Sequence, residues 1–113
     1  MLKKKGRGWE ISEKRLDAIH AEALRVAGSA PTYLTFDIDS LDPAFAPGTG
    51  TPEVGGPTSF QALEVVRHLA GLDIAGADLV EVSPPFDPTG ATAWLGASIL
   101  FELLCAMVGG PGA

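Results

Sequence analysis

The stretch that decides the fold is residues 32–43, with the sequence TYLTFDIDSLDP. Its first part, Thr32–Asp37, is rich in β-branched and aromatic residues, which predicts a β-strand that ends at Asp37. A second strand is predicted over Ile74–Val82, whose nearly continuous apolar part is typical of a strand covered on both faces. Three helices are predicted around the strands: Ser12–Ala27, Ser59–Ala70, and a third that starts at Pro88 with Asp87 as its cap and ends at Gly109–Gly110.

This order of elements, helix, strand, helix, strand, helix, is typical of an α/β domain with a parallel sheet. A parallel sheet needs several neighbouring strands and helices on both of its faces, and two strands alone do not provide them. We therefore expect the chain to form the end of a larger α/β domain.

The charge of the chain is divided unevenly. Residues 1–30 hold seven Lys/Arg against four Asp/Glu, whereas residues 31–113 hold one Arg against ten Asp/Glu, for a net charge of −6. An acidic segment of this kind is a poor match for nucleic acid and suits metal ions or positively charged small molecules. We expect no nucleic-acid partner.

Two further features bear on the location of the protein. Cys105 is the single cysteine, so no internal disulfide is possible and a cytoplasmic location is expected. The segment Ala91–Val108 is long and apolar, but Glu102 lies inside it and Gly96 and Ser98 interrupt it. We interpret it as a buried helix and expect no membrane partner.

Two aspartates at the end of the first strand form the first candidate site. Side chains two residues apart in a strand point to the same side, so Asp37 and Asp39 present their carboxylates together. They come at the carboxyl end of a strand, where α/β sheets bind ligands, and oxygen ligands of this kind favour Mg²⁺, Ca²⁺ or Mn²⁺ over zinc. The alternative is a solvated acidic turn. Asp42, followed by Pro43, is expected to order the loop instead.

Two longer stretches resemble a known family. Residues 44–56 (AFAPGTGTPEVGG) continue the Asp-x-Asp-x-x-Asp-Pro pattern, and residues 76–87 (GADLVEVSPPFD) supply a second acidic strand end. Together they closely resemble the signature of the ureohydrolases, the arginases, agmatinases and guanidinobutyrases. The resemblance is clear over residues 32–108. It implies that residues 1–113 are the C-terminal portion of one ureohydrolase domain with a three-layer α/β/α, arginase-like fold.

The resemblance also implies a chemistry. Members of the family hold two manganese ions through aspartates and histidines, and a bridging hydroxide attacks the guanidinium carbon of the substrate. Asp37 and Asp39 match two metal ligands, Glu81 matches the carboxylate that pairs with the guanidinium, and Thr51 matches a threonine that hydrogen-bonds this glutamate. The implied reaction is the hydrolysis of an agmatine-like guanidino compound to urea and an amine, within polyamine metabolism and commonly by a homo-oligomer.

The sequence also departs from the family pattern. The remaining metal ligands of the family lie in upstream Asp-x-His-x-Asp and Gly-Gly-Asp-His segments, which do not occur here. His20 and His68 lie in predicted helices, and we expect neither to bind metal. We therefore expect the chain alone to be incomplete and inactive, as the product of a truncated reading frame would be. Outside the resemblance, Glu81 would be a surface residue or a partner of Arg67.

Three other classes of protein share parts of this pattern. A haloacid-dehalogenase-type phosphatase also places Asp-x-Asp after an apolar strand, but Gly-Thr usually follows there and Ser40-Leu41 follows here. An EF-hand calcium loop would need a later glycine and a bidentate glutamate at fixed positions, which are missing. A non-catalytic remnant or assembly module of the same fold stays open as the main alternative.

Overall fold

The computed structural model describes residues 13–109 of the chain. The predicted cap Ser12 and the predicted terminal Gly110 lie outside these residues. A short 3₁₀ helix follows each strand, over Ile38–Ser40 and over Pro84–Phe86. The regular elements, in chain order, are α1 Glu13–Ala27, β1 Thr32–Asp37, α2 Ser59–Arg67, β2 Ile74–Val80 and α3 Ala91–Gly109.

The two strands pair in parallel, which confirms the predicted sheet type. Phe36 lies opposite Leu79 and Asp37 lies opposite Val80, so both strands end at the same edge of the sheet. The register shifts between Thr32 and Tyr33, where β2 contributes one extra residue. Everything that follows Asp37 and Val80 in the chain therefore starts from one carboxyl edge.

Alternate residues of β1 face the core. Leu34 and Phe36 are half-buried and pack against the core cluster, in which Val66 of α2 and Ile99 and Leu103 of α3 are buried. The loop after β1 belongs to the same core, because Ile38 and Leu41 are fully buried in it. This burial anchors the acidic segment at its apolar positions and leaves its polar side chains at the surface.

The N-terminal helix packs at the other end of the sheet. Ala23 and Ala27 of α1 contact a second cluster built on Leu72 and Ile74, at the start of β2. The ring Nδ1 of His20 donates a hydrogen bond to the backbone carbonyl of His68, just after α2. Both histidines therefore lie near the amino-terminal edge of β2, away from the carboxyl edge.

Three predicted boundaries were wrong. β2 ends at Val80 instead of Val82, because Glu81 has a φ of +70° that no strand continues. α2 ends at Arg67 instead of Ala70, and turns of the 3₁₀ kind follow it before Gly71, whose φ is +103°. α3 starts at Ala91 instead of Pro88, after the 3₁₀ turn and a Gly90 with φ of +76°.

The third helix is apolar on two opposite sides. The helix was predicted to be buried, but only one of its sides is buried in the core, and Trp94, Phe101 and Val108 on the other side are 77%, 65% and 82% exposed. By length and composition alone, with a mean hydropathy of 1.8, α3 is also apolar enough to cross a membrane. In this structure α3 packs against β2 and α2.

Candidate functional site

The candidate site lies at the carboxyl edge of the sheet. Asp37 is the last residue of β1, and the 3₁₀ turn that follows brings Asp39 back beside it. The Asp39 backbone N–H donates to Asp37 Oδ1 at 3.0 Å. Val80, which pairs with Asp37, immediately precedes Glu81. The fold thus brings together the three carboxylates that the sequence placed on two separate strands.

These carboxylates repel one another. Partial burial, the neighbouring Asp39 carboxyl and the negative charge of Glu81 raise the pKa of Asp37, against the opposing effect of the Asp39 N–H. Within residues 13–109 the ion pairs are made by Arg25 and Arg67, and none reaches this edge. A bound cation would relieve the repulsion, which makes Asp37 and Asp39 candidate cation ligands.

Glu81 has a backbone conformation that is rare for its residue type. Among the described residues it is the one non-glycine with positive φ, at +70°. The left-handed region costs an L-residue roughly 1–2 kcal/mol, and such residues cluster at functional sites. The exposed Glu81 side chain is therefore directed by a strained turn directly after the strand.

The loop between β1 and α2 is tied together by its own polar groups. Asp42 accepts hydrogen bonds from the backbone N–H groups of Ala44, at 2.8 Å, and Gly55, at 2.9 Å. These two donors lower the pKa of Asp42. A Cβ at Gly56 would lie 2.3 Å from the Ser40 carbonyl oxygen, so only glycine fits there. The predicted role of Asp42 in ordering this loop is confirmed.

Thr51 contacts a different carboxylate from the one expected. Its hydroxyl donates to Asp39 Oδ2 at 2.8 Å, and the structure gives it no hydrogen bond to Glu81. The reason lies in the backbone, because the N–H of Glu53 donates to the Asp39 carbonyl at 3.2 Å and draws this part of the loop to Asp39. In this structure Thr51 therefore orients a candidate metal ligand.

A second polar network joins the loop after β1 and the loop after β2 to the start of α3. Asp87 accepts from the hydroxyl of Thr89 at 2.5 Å and from both the hydroxyl and the N–H of Thr92 at 2.7 Å. These donors lower the pKa of Asp87 to about 2. The Thr92 hydroxyl in turn accepts from the Gly48 N–H at 2.8 Å, and the Gly48 carbonyl accepts from Ser83 N–H at 2.7 Å. Asp87 accepts from the Thr92 N–H in the first turn of α3, but it lies before Gly90 and so does not occupy the predicted cap position directly before the helix.

Sequence reasoning missed one carboxylate near the site. Asp78 of β2 accepts hydrogen bonds from the hydroxyls of two β1 residues, Tyr33 and Thr35. The signal for it was the alternation along β1, where Tyr33, Thr35 and Asp37 fall on one exposed face. Only the pairing register, however, shows that Asp78 lies opposite Thr35.

The donor set at the edge fits part of a site for a hard divalent cation. Asp37 and Asp39 offer carboxylate oxygens, but among residues 13–109 no group of three or more His, Cys, Asp or Glu side chains could hold a metal ion. His68 is engaged with a backbone carbonyl of α2, at 2.8 Å, far along the chain from the edge. The alternative partner for Glu81 was wrong, since Arg67 pairs with Glu64 at 2.8 Å and Glu102 at 2.7 Å.

Parallel strands that end in neighbouring carboxylates define an α/β protein with a candidate ligand site at the carboxyl edge of its sheet. Comparison with known proteins identifies its family. A model of the arginase family matches residues 7–106. The chain belongs to the arginase family, as the two signature stretches indicated.

Individual relatives agree with this assignment. The chain is 63% identical over 98 residues to a guanidinopropionase of Pseudomonas aeruginosa, a match that covers 87% of this chain and 31% of that protein. It is 54% identical over 96 residues to a mitochondrial agmatinase of Gallus gallus, covering 85% and 28%. A solved structure described as a hypothetical agmatinase from Burkholderia thailandensis is similar with a TM-score of 0.75 at 50% identity, covering 81% of this chain and 29% of that one.

The chain spans about 31% of the length of the guanidinopropionase that it matches. It corresponds to one region of the arginase-like α/β fold, with helices and a parallel sheet.

Proposed function

We propose that this chain supplies part of the active site of an enzyme that hydrolyses a guanidino compound to urea and an amine. The observation that carries the proposal is the convergence of Asp37, Asp39 and Glu81 at one sheet edge, where partial burial, together with the neighbouring Asp39 and Glu81 carboxylates, raises the pKa of Asp37. The names of the relatives, guanidinopropionase, guanidinobutyrase and agmatinase, support the substrate class.

Asp37 and Asp39 are proposed as ligands of manganese. Thr51 donates to one carboxylate oxygen of Asp39, which fixes the orientation of that side chain and leaves its other oxygen available. When bound, a pair of manganese ions would supply a hydroxide nucleophile at neutral pH. The contribution of this chain is to hold both aspartates at the end of a buried strand and turn.

Glu81 is proposed to bind the guanidinium group of the substrate. A guanidinium is planar and donates two parallel hydrogen bonds, which a carboxylate accepts with both oxygens. The left-handed backbone of Glu81 directs its side chain away from the line of the strand. The negative charge of Glu81 contributes to the raised pKa of Asp37. The reacting carbon would therefore be held beside the two aspartates.

We further propose that the chain needs partners from the rest of a family domain. Two aspartates alone would bind Mn²⁺ weakly, and half a two-metal site cannot hold both ions at the required separation of about 3.5–4 Å. The 113-residue chain by itself is thus expected to release urea at no useful rate. A cytoplasmic, homo-oligomeric enzyme with no nucleic-acid or membrane partner remains the expectation from sequence.

A chimera tests the proposed function. The matching 98 residues of the Pseudomonas aeruginosa guanidinopropionase are replaced by those of this chain, and urea release is measured with and without Mn²⁺. We expect manganese-dependent activity, and a loss of about 100-fold or more for Asp39→Ala and Glu81→Gln. Asp17→Asn, on the exposed side of α1, is the matched control and should leave the activity unchanged.

Two results would overturn the proposal. One is a folded chimera that releases no urea. The other is a chimera whose urea release survives both Asp39→Ala and Glu81→Gln, which would leave the non-catalytic module as the better reading of this chain.

A further inference from the structure

We propose that Asp78 is a positioning residue, which fixes β1 against β2 by accepting two hydroxyl groups and so sets the placement of Asp37 relative to Glu81. This inference rests on the proposed function and adds a residue that acts through the candidate site without touching substrate. The cluster of Asp78, Tyr33 and Thr35 is called the cross-strand clamp below.

Both carboxylate oxygens of Asp78 are used within the clamp. Oδ2 accepts from the Tyr33 hydroxyl at 2.9 Å, and Oδ1 accepts from the Thr35 hydroxyl. The two donors are alternate residues of β1, and the acceptor lies on β2 directly opposite Thr35. The Asp78 side chain therefore links two alternate residues of β1 to a single position on β2.

The Tyr33 ring reaches Asp78 by lying over Gly76. Gly76 is the residue opposite Tyr33, and a Cβ built on it would lie 2.9 Å from the tyrosine ring. Glycine at this position leaves the space that the ring occupies. The clamp thus combines two alternate residues of β1, Tyr33 and Thr35, with Asp78 of β2, and the glycine opposite Tyr33 makes room for it.

The clamp begins at the point where the register of the two strands changes. Thr32 pairs with Ile74, but Tyr33 pairs with Gly76, so the strands slip by one residue there. A slip by one residue moves every following side chain to the opposite face. By holding Tyr33 and Thr35 to Asp78, the clamp selects the shifted register, in which Asp37 ends beside Val80 and Glu81.

The distance from the clamp to the candidate site is short. Asp37 follows Thr35 by two residues, and Glu81 follows Asp78 by three. A displacement of reacting groups by about 1 Å can cost about 100-fold in rate. Loosening the clamp should therefore change the catalytic rate while leaving Asp37 and Asp39, which share one strand end, able to bind metal together.

The existence of the clamp in solution is tested on the 113-residue chain. Tyr33 is its single tyrosine, so tyrosinate absorbance during an alkaline titration reports on this residue alone. The hydrogen bond to Asp78, with burial and the Asp78 charge, raises the pKa of Tyr33. In Asp78→Asn this pKa should fall toward the ordinary value of about 10, whereas Asp73→Asn should leave it raised. Identical titrations of Asp78→Asn and the parent chain would overturn the clamp.

Its positioning role is tested in the chimera. Asp78→Ala should lower kcat/KM by about 10- to 100-fold, mainly through kcat, and should change the Mn²⁺ concentration for half activation by less than about twofold. Tyr33→Phe with Thr35→Val should reproduce this loss, and adding Asp78→Ala to that pair should have little further effect.

Val66→Ala separates positioning from general loss of stability. It removes core packing from a fully buried site, so it should lower Tm while leaving kcat/KM unchanged well below the melting temperature. If Asp78→Ala matched Val66→Ala in every readout, the positioning role would be overturned. An inactive parent chimera would overturn the proposed function instead, and the tyrosine titration would still decide the clamp.

Discussion

Asp37 and Asp87 occupy two acidic sites that the same loops bring to one edge of the molecule, but their surroundings have opposite effects. Asp87 is almost fully buried, yet donors from Thr89 and Thr92 engage both of its oxygens and lower its pKa to about 2. Asp37 is more exposed, faces Asp39 and Glu81, and has a raised pKa. The protein itself satisfies the first carboxylate and leaves the second beside two other acidic side chains.

The hydrogen-bond partners of a carboxylate therefore separate a structural carboxylate from a candidate ligand better than its burial does. An ionised carboxylate that accepts several hydrogen bonds is stabilised without any bound partner, whereas one beside other carboxylates is stabilised by a positive charge. Asp39 lies between the two cases, since Thr51 donates to one of its oxygens only.

The largest expected effect is on activity. In the chimera, Asp37→Asn should lower urea release by about 100-fold or more, because an amide is a weak ligand and carries no charge for a cation. Asp87→Asn should lower it by less than about tenfold, since Asp87 stabilises the start of α3 and the loop at Gly48. A steady-state assay at saturating Mn²⁺ compares the two. Equal losses of urea release in Asp37→Asn and Asp87→Asn would contradict the proposed difference between a metal ligand and a structural carboxylate.

A smaller effect is expected at Thr51. Removing its hydroxyl in Thr51→Val should lower urea release by about tenfold, because Asp39 loses the hydrogen bond that orients it. Thr51→Ser keeps a hydroxyl at the same position and should retain most of the activity. If Thr51→Val proved harmless, orientation of Asp39 by this contact would not matter for the reaction.

Stability should respond with opposite signs at the two sites. Asp87→Ala should lower Tm by several degrees, because the Thr92 N–H and the buried Thr92 hydroxyl lose their acceptor. Asp37→Asn should raise Tm slightly, since it removes a charge that Asp39 and Glu81 repel. Thermal unfolding of the chain at neutral pH, followed by circular dichroism, measures both shifts. A fall in Tm for Asp37→Asn would contradict this assignment of the repulsion.

The smallest effect is on the pH dependence of unfolding. Asp87 has a folded pKa of about 2, below its unfolded value of about 3.9, so its contribution is full above about pH 4 and is lost as the pH falls toward 2. Asp37 has a raised folded pKa, so its contribution is present at low pH and is lost as the pH rises through that value. Urea midpoints measured from neutral to acid pH should therefore fall less steeply in acid for Asp87→Asn than for the parent chain.

The elements that local sequence determines were predicted well. The β-branched run of β1 formed where it was predicted, and the strands paired in parallel. The second helix starts at the predicted Ser59, where Thr58 and Gln61 form a capping box. Asp42 orders its loop partly through a local turn, in which it accepts from the Ala44 N–H, and partly by accepting from the more distant Gly55 N–H. The candidate carboxylates also met at one edge, since parallel strands leave no other arrangement.

The features that were missed depend on contacts between distant parts of the chain. The left-handed backbone of Glu81 lies next to a loop-to-loop hydrogen bond from Ser83 N–H to the Gly48 carbonyl, which no local pattern reveals. The partner of Thr51 and the acceptor role of Asp78 depend on loop closure and on a register shift between the strands. Sequence periodicity gives the face of each residue and leaves its neighbour across the sheet undetermined.

Because Glu81 has a positive φ, the residue that favours stable folding at this position differs from the residue proposed to be needed for function. Glycine adopts this backbone at little cost, so Glu81→Gly should relieve roughly 1–2 kcal/mol of strain while deleting the carboxylate proposed to hold the substrate. A randomised library sorted only for yield of soluble, protease-resistant chain would therefore be expected to enrich glycine at position 81. A library sorted for urea release should keep glutamate there, and the two populations would diverge at this codon first.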